Sequence, residues 1–133
     1  MIYLPDTNAW IAYVNPGDSP VKTRFRAHQP ADIVFCAVVK AELLYGAHRS
    51  AQREDNLRLL ATLFQQFTSL PFDDTAADAY GRIRADLTRR GTPIGPNDLM
   101  IASIALVHHL TLVTHNTREF GRVVGLQQLE DWE

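Results

Sequence analysis

A chain of 133 residues in which 46% are hydrophobic has the length of one domain and the apolar content of a packed core. Thirteen Lys and Arg stand against fifteen Asp and Glu. The formal charge of -2 excludes a strongly basic chain built to coat nucleic acid and leaves local patches to decide any such role. Cys36 is the sole cysteine, which excludes an intrachain disulfide and a cysteine-rich zinc site.

The N-terminus lacks the basic start and long apolar segment of a secretion signal. Leu99 to Thr117 carries no Asp, Glu, Lys or Arg, but His108, His109, Thr111, Thr114, His115 and Asn116 break it as a membrane span. A soluble, cytoplasmic protein of one domain over residues 1–133 is expected. Basic residues gather at Lys22 to Arg58 and again at Arg82, Arg84, Arg89 and Arg90, and the end, with Glu130, Asp131 and Glu133, is acidic.

In chain order, IYLP reads as a short strand and NAWIAYV has helical character. Ser19 and Pro20 supply an N-cap and first position for a helix over SPVKTRFRAH. DIVFCAV reads as a strand, and the period turns helical from Val38 to His48. Leu57, Leu60, Ala61, Phe64 and Phe67 recur at helical spacing, followed by a strand in FTSLPF. Ala76, Tyr80, Ile83 and Leu87 mark a helix closed by Gly91. After the loop GTPIGP, Pro96 opens a helix predicted to run through Leu110. LTLVT is a strand, Arg118–Arg122 a short helix, and 126–129 a weak final strand. Strands alternating with helices predict an α/β fold with a parallel sheet of four to five strands, covered on both faces. Ligands of such sheets bind beyond the carboxyl ends of the strands.

Several polar groups fall at that edge. Asp6 ends the first strand and reads equally as a helix cap, worth about 1 kcal/mol, or as a ligand. Glu42 shares a predicted helix face with Val38, Val39 and Tyr45. A buried glutamate needs a partner, which is either Lys22, Arg24 or Arg26, or a metal. Asp98 lies in the first turn of the helix opened by Pro96, where an acid suits the dipole. The rigid approach of Pro93, Gly95 and Pro96 suggests a further demand, to fix one side chain. A fourth point is the strand end at Thr114, His115 and Asn116, with Glu119 beyond it. Carboxylates gathered in one place repel unless a cation sits between them, and their oxygens suit Mg²⁺ or Mn²⁺. Such ions promote attack of water on a phosphodiester.

The segments LPDTNAWI, KAELLYGAHRS, GTPIGPNDLMIASIAL, LVTHNTREF and GLQQLEDW span nearly the whole chain. Together they make it resemble the PIN-domain ribonucleases, and more closely the VapC toxins of bacterial toxin–antitoxin pairs. The resemblance implies a three-layer α/β/α sandwich. It implies a Mg²⁺-dependent endoribonuclease, with Mn²⁺ able to substitute, that leaves a 3′-hydroxyl and a 5′-phosphate. It further implies a VapB-type antitoxin as inhibitor and a homodimer. The GTPIGP and NTREF segments are similar to those of members that cut initiator tRNA in its anticodon stem-loop. On this resemblance Asp6, Glu42 and Asp98 are the catalytic, metal-holding acids.

Asn116 stands where many relatives place a fourth Asp, so Glu119 is the other candidate to complete the site. Pro5 replaces the usual aliphatic residue before the first Asp. Thr7, Asn8 and Thr114 are expected in support, with Thr7 bonding a phosphate or a water, or capping a helix. Lys40 and Arg49, flanking Glu42, are the expected RNA contacts, because phosphate neutralisation dominates nucleic-acid affinity. Leu57, Leu60 and Phe64 read as core, or as a groove for an antitoxin helix or a second protomer. Two competing readings are a catalytically silent PIN-like module that binds RNA or protein, and a phospho-receiver domain. The second expects paired acids after the first strand and a late Lys, and no Lys follows Lys40.

Overall fold

The computed structural model describes residues 1–126 and 128–133. Five short strands, β1 (Tyr3–Pro5), β2 (Phe35–Cys36), β3 (Ser69–Leu70), β4 (Thr111–Val113) and β5 (Leu129–Glu130), run parallel. β4 lies between β1 and β5, and β2 pairs with β3. A bridge between Tyr3 and Ile33 joins the two pieces, and the Val34 amide donates to the Tyr3 carbonyl at 2.9 Å. The spatial order is therefore β3–β2–β1–β4–β5. From β1 the chain first builds outward through β2 and β3, then returns to β1's other side at β4. That reversal is the topological switch point at which open sheets of this class open a crevice.

Among the described residues seven α-helices accompany the strands: α1 (Thr7–Val14), α2 (Pro20–Arg26), α3 (Ala37–Arg49), α4 (Arg53–Phe64), α5 (Asp74–Arg89), α6 (Pro96–Val107) and α7 (Thr117–Phe120). Ser19 caps α2 by accepting from the Lys22 amide, and Asp73 caps α5 by accepting from the Ala76 amide. α5 packs on α6, α3 on α4, and α1 on α2 and α3. Trp10 stacks on Phe35 with centroids 3.7 Å apart and meets Phe25 and Phe67 edge-on. Ile101 to Ala105 are all buried, so this part of α6 is surrounded rather than amphipathic. Among the described residues no helix is long and apolar enough to cross a membrane.

Several boundaries differ from the sequence expectation: the strand read over DIVFCAV shrinks to Phe35–Cys36 because Ala37 already opens α3, and the short helix expected at Arg118–Arg122 is Thr117–Phe120. α4 ends at Phe64, and Phe67 reaches the core from the following turn, against Trp10. α6 ends at Val107 instead of Leu110. There His109 takes the left-handed conformation, with φ 54°, its amide donates to Leu106 and the Leu110 amide to Ala105. This is the Schellman arrangement, which Gly91 makes at the end of α5, with its own amide on Thr88 and the Thr92 amide on Leu87. The last strand begins at Leu129, in register with Leu112, because the Leu126 amide still closes a turn on Val123. Gln127, within the expected strand, lies outside the described residues.

Candidate active site

The site is assembled at the carboxyl ends of β1 and β4, beside the starts of α1 and α6. Asp6 follows β1, and its amide donates to the Val113 carbonyl of β4 at 2.9 Å. Its side chain is buried, 6% exposed. Oδ1 accepts from the Ala9 amide at 2.9 Å, so the capping role is real. The Thr114 side chain also acts on the carboxylate, lowering its pKa as the Ala9 amide does. Burial raises the Asp6 pKa above the ordinary carboxylate value, these two groups oppose it, and the charge of Glu42 adds to the rise.

Glu42 sits at the edge of the buried face of α3, half-buried, with Val38 and Val39 inside. Tyr45, expected on the same face, is 64% exposed. Glu42 does not pair with Lys22, Arg24 or Arg26. Lys22 reaches the Gly17 carbonyl, Arg24 binds Glu130 at 3.0 Å and Arg26 approaches Asp18 at 3.7 Å. Instead Thr7 Oγ1 donates to Glu42 Oε1 at 2.6 Å.

Asp98 occupies the first turn of α6, which Gly95 caps without a side chain. Its pKa is pushed up to about 6, chiefly by burial and then by the charges of Asp6, Glu42 and Glu119. The three acids therefore feel one another. Among the described residues, none of Asp6, Glu42 or Asp98 forms an ion pair.

Around them the support is polar. Buried Thr114 accepts the Asn116 amide at 2.9 Å. The Asn116 side-chain amide donates to Glu119 Oε2 at 2.6 Å. The two residues weighed as substitutes for a fourth acid thus act as one unit, with Asn116 holding the Glu119 carboxylate. Asn8 is exposed on the first turn of α1.

Residues 3–126 match the PIN domain family. A tRNA(fMet)-specific endonuclease VapC of Shigella flexneri is 40% identical over 130 residues, which are 98% of this chain and 97% of that protein. The chain belongs to the PIN-domain family, among the VapC ribonucleases. Two solved relatives have the same fold from end to end. DNA-bound VapBC of Salmonella typhimurium matches with TM-score 0.92 and 35% identity, covering 100% of this chain and 99% of that one. VapBC2 of Rickettsia felis, bound to a promoter fragment, matches with TM-score 0.89 and 33% identity over 100% of both chains.

This candidate site suits a hard divalent cation: its donors are carboxylate oxygens, and among the described residues no cation pairs with them. A second cluster escaped the sequence reading. Among the described residues, His115, Asp131 and Glu133 alone bring three ligand atoms within 4.8 Å of one another. His115 Nδ1 lies 3.0 Å from Asp131 and 2.9 Å from Glu133, and the hydrogen bond to Asp131 raises its pKa above the ordinary histidine value. A proton on His115 offsets one of that cluster's two carboxylate charges internally, whereas among the described residues Asp6, Glu42 and Asp98 have no cationic partner at all. The signal for the cluster was the parallel pairing of β4 with β5, which brings the chain after Thr114 beside the chain after Glu130.

Lys40 and Arg49 have other engagements. The Lys40 ammonium sits 4.7 Å from the Phe64 ring centroid and 5.7 Å from that of Phe35, and Arg49 lies over Tyr45 at 5.2 Å.

Proposed function

We propose that this ribonuclease is a toxin that cleaves RNA with a Mg²⁺ ion held by Asp6, Glu42 and Asp98, Mn²⁺ being able to replace it. The observation that carries this reading is the group of three mutually repelling acids, unpaired by any cation among the described residues, at the switch point between β1 and β4. When bound, the ion would supply charge to stabilise the attacking water and the leaving oxygen of a phosphodiester.

The protein's own part is positioning. Thr7 fixes the Glu42 carboxylate, the Ala9 amide fixes Asp6, and Asn116 fixes Glu119 at the rim. Water adds to phosphorus as the bond to the 3′ oxygen breaks, leaving a 3′-hydroxyl and a 5′-phosphate. The carboxylate that Asn116 retains through Glu119 favours this reading over a silent RNA- or protein-binding module.

The substrate we infer is tRNA, and within it the anticodon stem-loop of initiator tRNA. Its support is the kinship with the Shigella flexneri protein named for tRNA(fMet). The inhibitor we infer is a VapB-type antitoxin, supported by the VapBC assemblies of the Salmonella and Rickettsia relatives. Working as a homodimer completes the proposal, as does placing Lys40 and Arg49 near RNA beyond the acids.

The test is incubation of purified, antitoxin-free protein with total tRNA and Mg²⁺, beside an EDTA control and Asp98→Asn. Cleavage that needs both the metal and Asp98, mapped to the anticodon stem-loop, is expected. A folded Asp98→Asn protein of full activity would overturn the assignment.

A further inference from the structure

The α5–α6 side of the site carries a feature that the acids do not use. A groove of about 160 Å³ runs between α5 and the loop leading into α6, lined by Tyr80, Arg84, Leu87, Ile94, Pro96 and Leu99 among others. Its far wall belongs to the segment that presents Asp98, since Pro96 and Leu99 flank that acid in sequence.

Arg84 differs from its neighbours. Arg82 is tied to Asp78, and Arg89 and Arg90 are tied to Asp86. Among the described residues Arg84 has no carboxylate partner. Its guanidinium lies 5.9 Å from the Tyr80 ring centroid and donates to the Tyr80 hydroxyl at 3.1 Å. Tyr80 is in turn held edge-on by Phe72, with centroids 6.0 Å apart. A planar, uncompensated cation is thus braced on an aromatic ring at the lip of an apolar groove, one loop away from a candidate catalytic acid.

Single-stranded RNA is recognised by that combination: a flat face on which an unstacked base lies, and a guanidinium for the adjoining phosphate. We propose that the Tyr80–Arg84 platform and the groove behind it form a subsite for one unpaired nucleotide next to the scissile phosphate. The inference rests on the RNA-cleavage reading above. It assigns to Arg84 the positioning of substrate, and no part in the bond-breaking step. RNA is chosen as occupant by charge complementarity and by continuity with the Asp98 loop.

The test compares the parent with Arg84→Gln and Arg84→Lys in the full-length chain. Cleavage of total tRNA is measured as kcat and KM, and binding of total tRNA is measured in an Asp98→Asn background across a salt series. Arg84→Gln is expected to raise KM and weaken binding by about tenfold, with kcat changed by less than about twofold. Its log–log salt slope should be shallower by about 0.7, the loss of one phosphate contact on single-stranded RNA. Arg84→Lys should recover the slope and only part of the affinity, because lysine lacks the planar face. Arg84 is exposed, so an unchanged thermal midpoint is expected and serves as the folding control.

Cleavage by the parent with unaltered KM, binding and slope in Arg84→Gln would overturn the subsite while leaving the ribonuclease intact. A changed molecular mass in solution with unaltered RNA binding would give the groove to a second copy of the chain, and would also overturn it. Neither cleavage nor tRNA binding by the parent would remove the RNA reading itself, and the subsite with it.

Discussion

Thr7 Oγ1 donates a 2.6 Å hydrogen bond to Glu42 Oε1 across 35 positions of sequence. It ties the first turn of α1 to the middle of α3, and it fills the place that an ion pair with Lys22, Arg24 or Arg26 would have taken. A hydroxyl can orient a carboxylate without cancelling its charge, so Glu42 stays available to a cation.

Thr7→Val should therefore lower metal affinity or cleavage rate by about tenfold to a hundredfold, as loss of a ligand-orienting partner does elsewhere. Thr7→Ser keeps the donor and should retain most activity. Calorimetric Mn²⁺ titration with matched cleavage assays checks both; equal loss in the two variants would assign Thr7 to packing.

Asp98 makes a pH-dependent prediction for metal-free protein. Its pKa of about 6 lies above the ordinary aspartate value of 3.8, so the folded state holds this proton more tightly than the unfolded chain does. Stability from this group is then fully present below the unfolded value and is lost as pH rises through the folded one. Asp6 contributes in the same direction. Asp98→Asn should stabilise metal-free protein by about 1–2 kcal/mol near neutral pH, after a discount for solvent screening. Loss of the favourable dipole interaction, about 0.3–1 kcal/mol, is too small to reverse this. Thermal melts in EDTA at about pH 7.5 and about pH 4 read the effect. The gain should vanish at the acidic end; a destabilised Asp98→Asn at both pH values would contradict it.

His109 holds a left-handed conformation that glycine adopts at no steric cost. It is exposed, so its side chain has little packing to lose. His109→Gly should stabilise the protein by about 0.5–1 kcal/mol, seen as a higher urea midpoint with an unchanged slope. A lower midpoint would show that the imidazole makes a contribution the Schellman geometry does not require.

Much of this arrangement was legible before the fold. Tyr3–Pro5 and Thr111–Val113 announce themselves as apolar runs, Ser19–Pro20 as a helix start and Gly91 as a helix stop. Asp6, Glu42 and Asp98 stood out because each was an acid in apolar or rigid surroundings. The end of α6 was not legible, because a histidine occupies the position where glycine would have signalled the cap. Glu42's true partner, the Asn116–Glu119 unit and the His115 cluster were hidden for a different reason. Each depends on which strand ends and helix starts become neighbours, or on a rotamer inside a turn, and periodicity carries neither. Arg84 looked like one arginine among four; only the pairing of the other three with Asp78 and Asp86 sets it apart.

The most direct measurement is a Mn²⁺ titration by calorimetry, with RNA cleavage followed at each ion concentration, for the parent, Glu42→Gln, Asp98→Asn and His115→Ala. The Asp6, Glu42 and Asp98 site predicts weakened ion binding and parallel loss of cleavage in the first two variants, and little change in His115→Ala. Ion binding and cleavage unaffected by Glu42→Gln and Asp98→Asn but abolished by His115→Ala would place the cation at the C-terminal cluster and contradict the account.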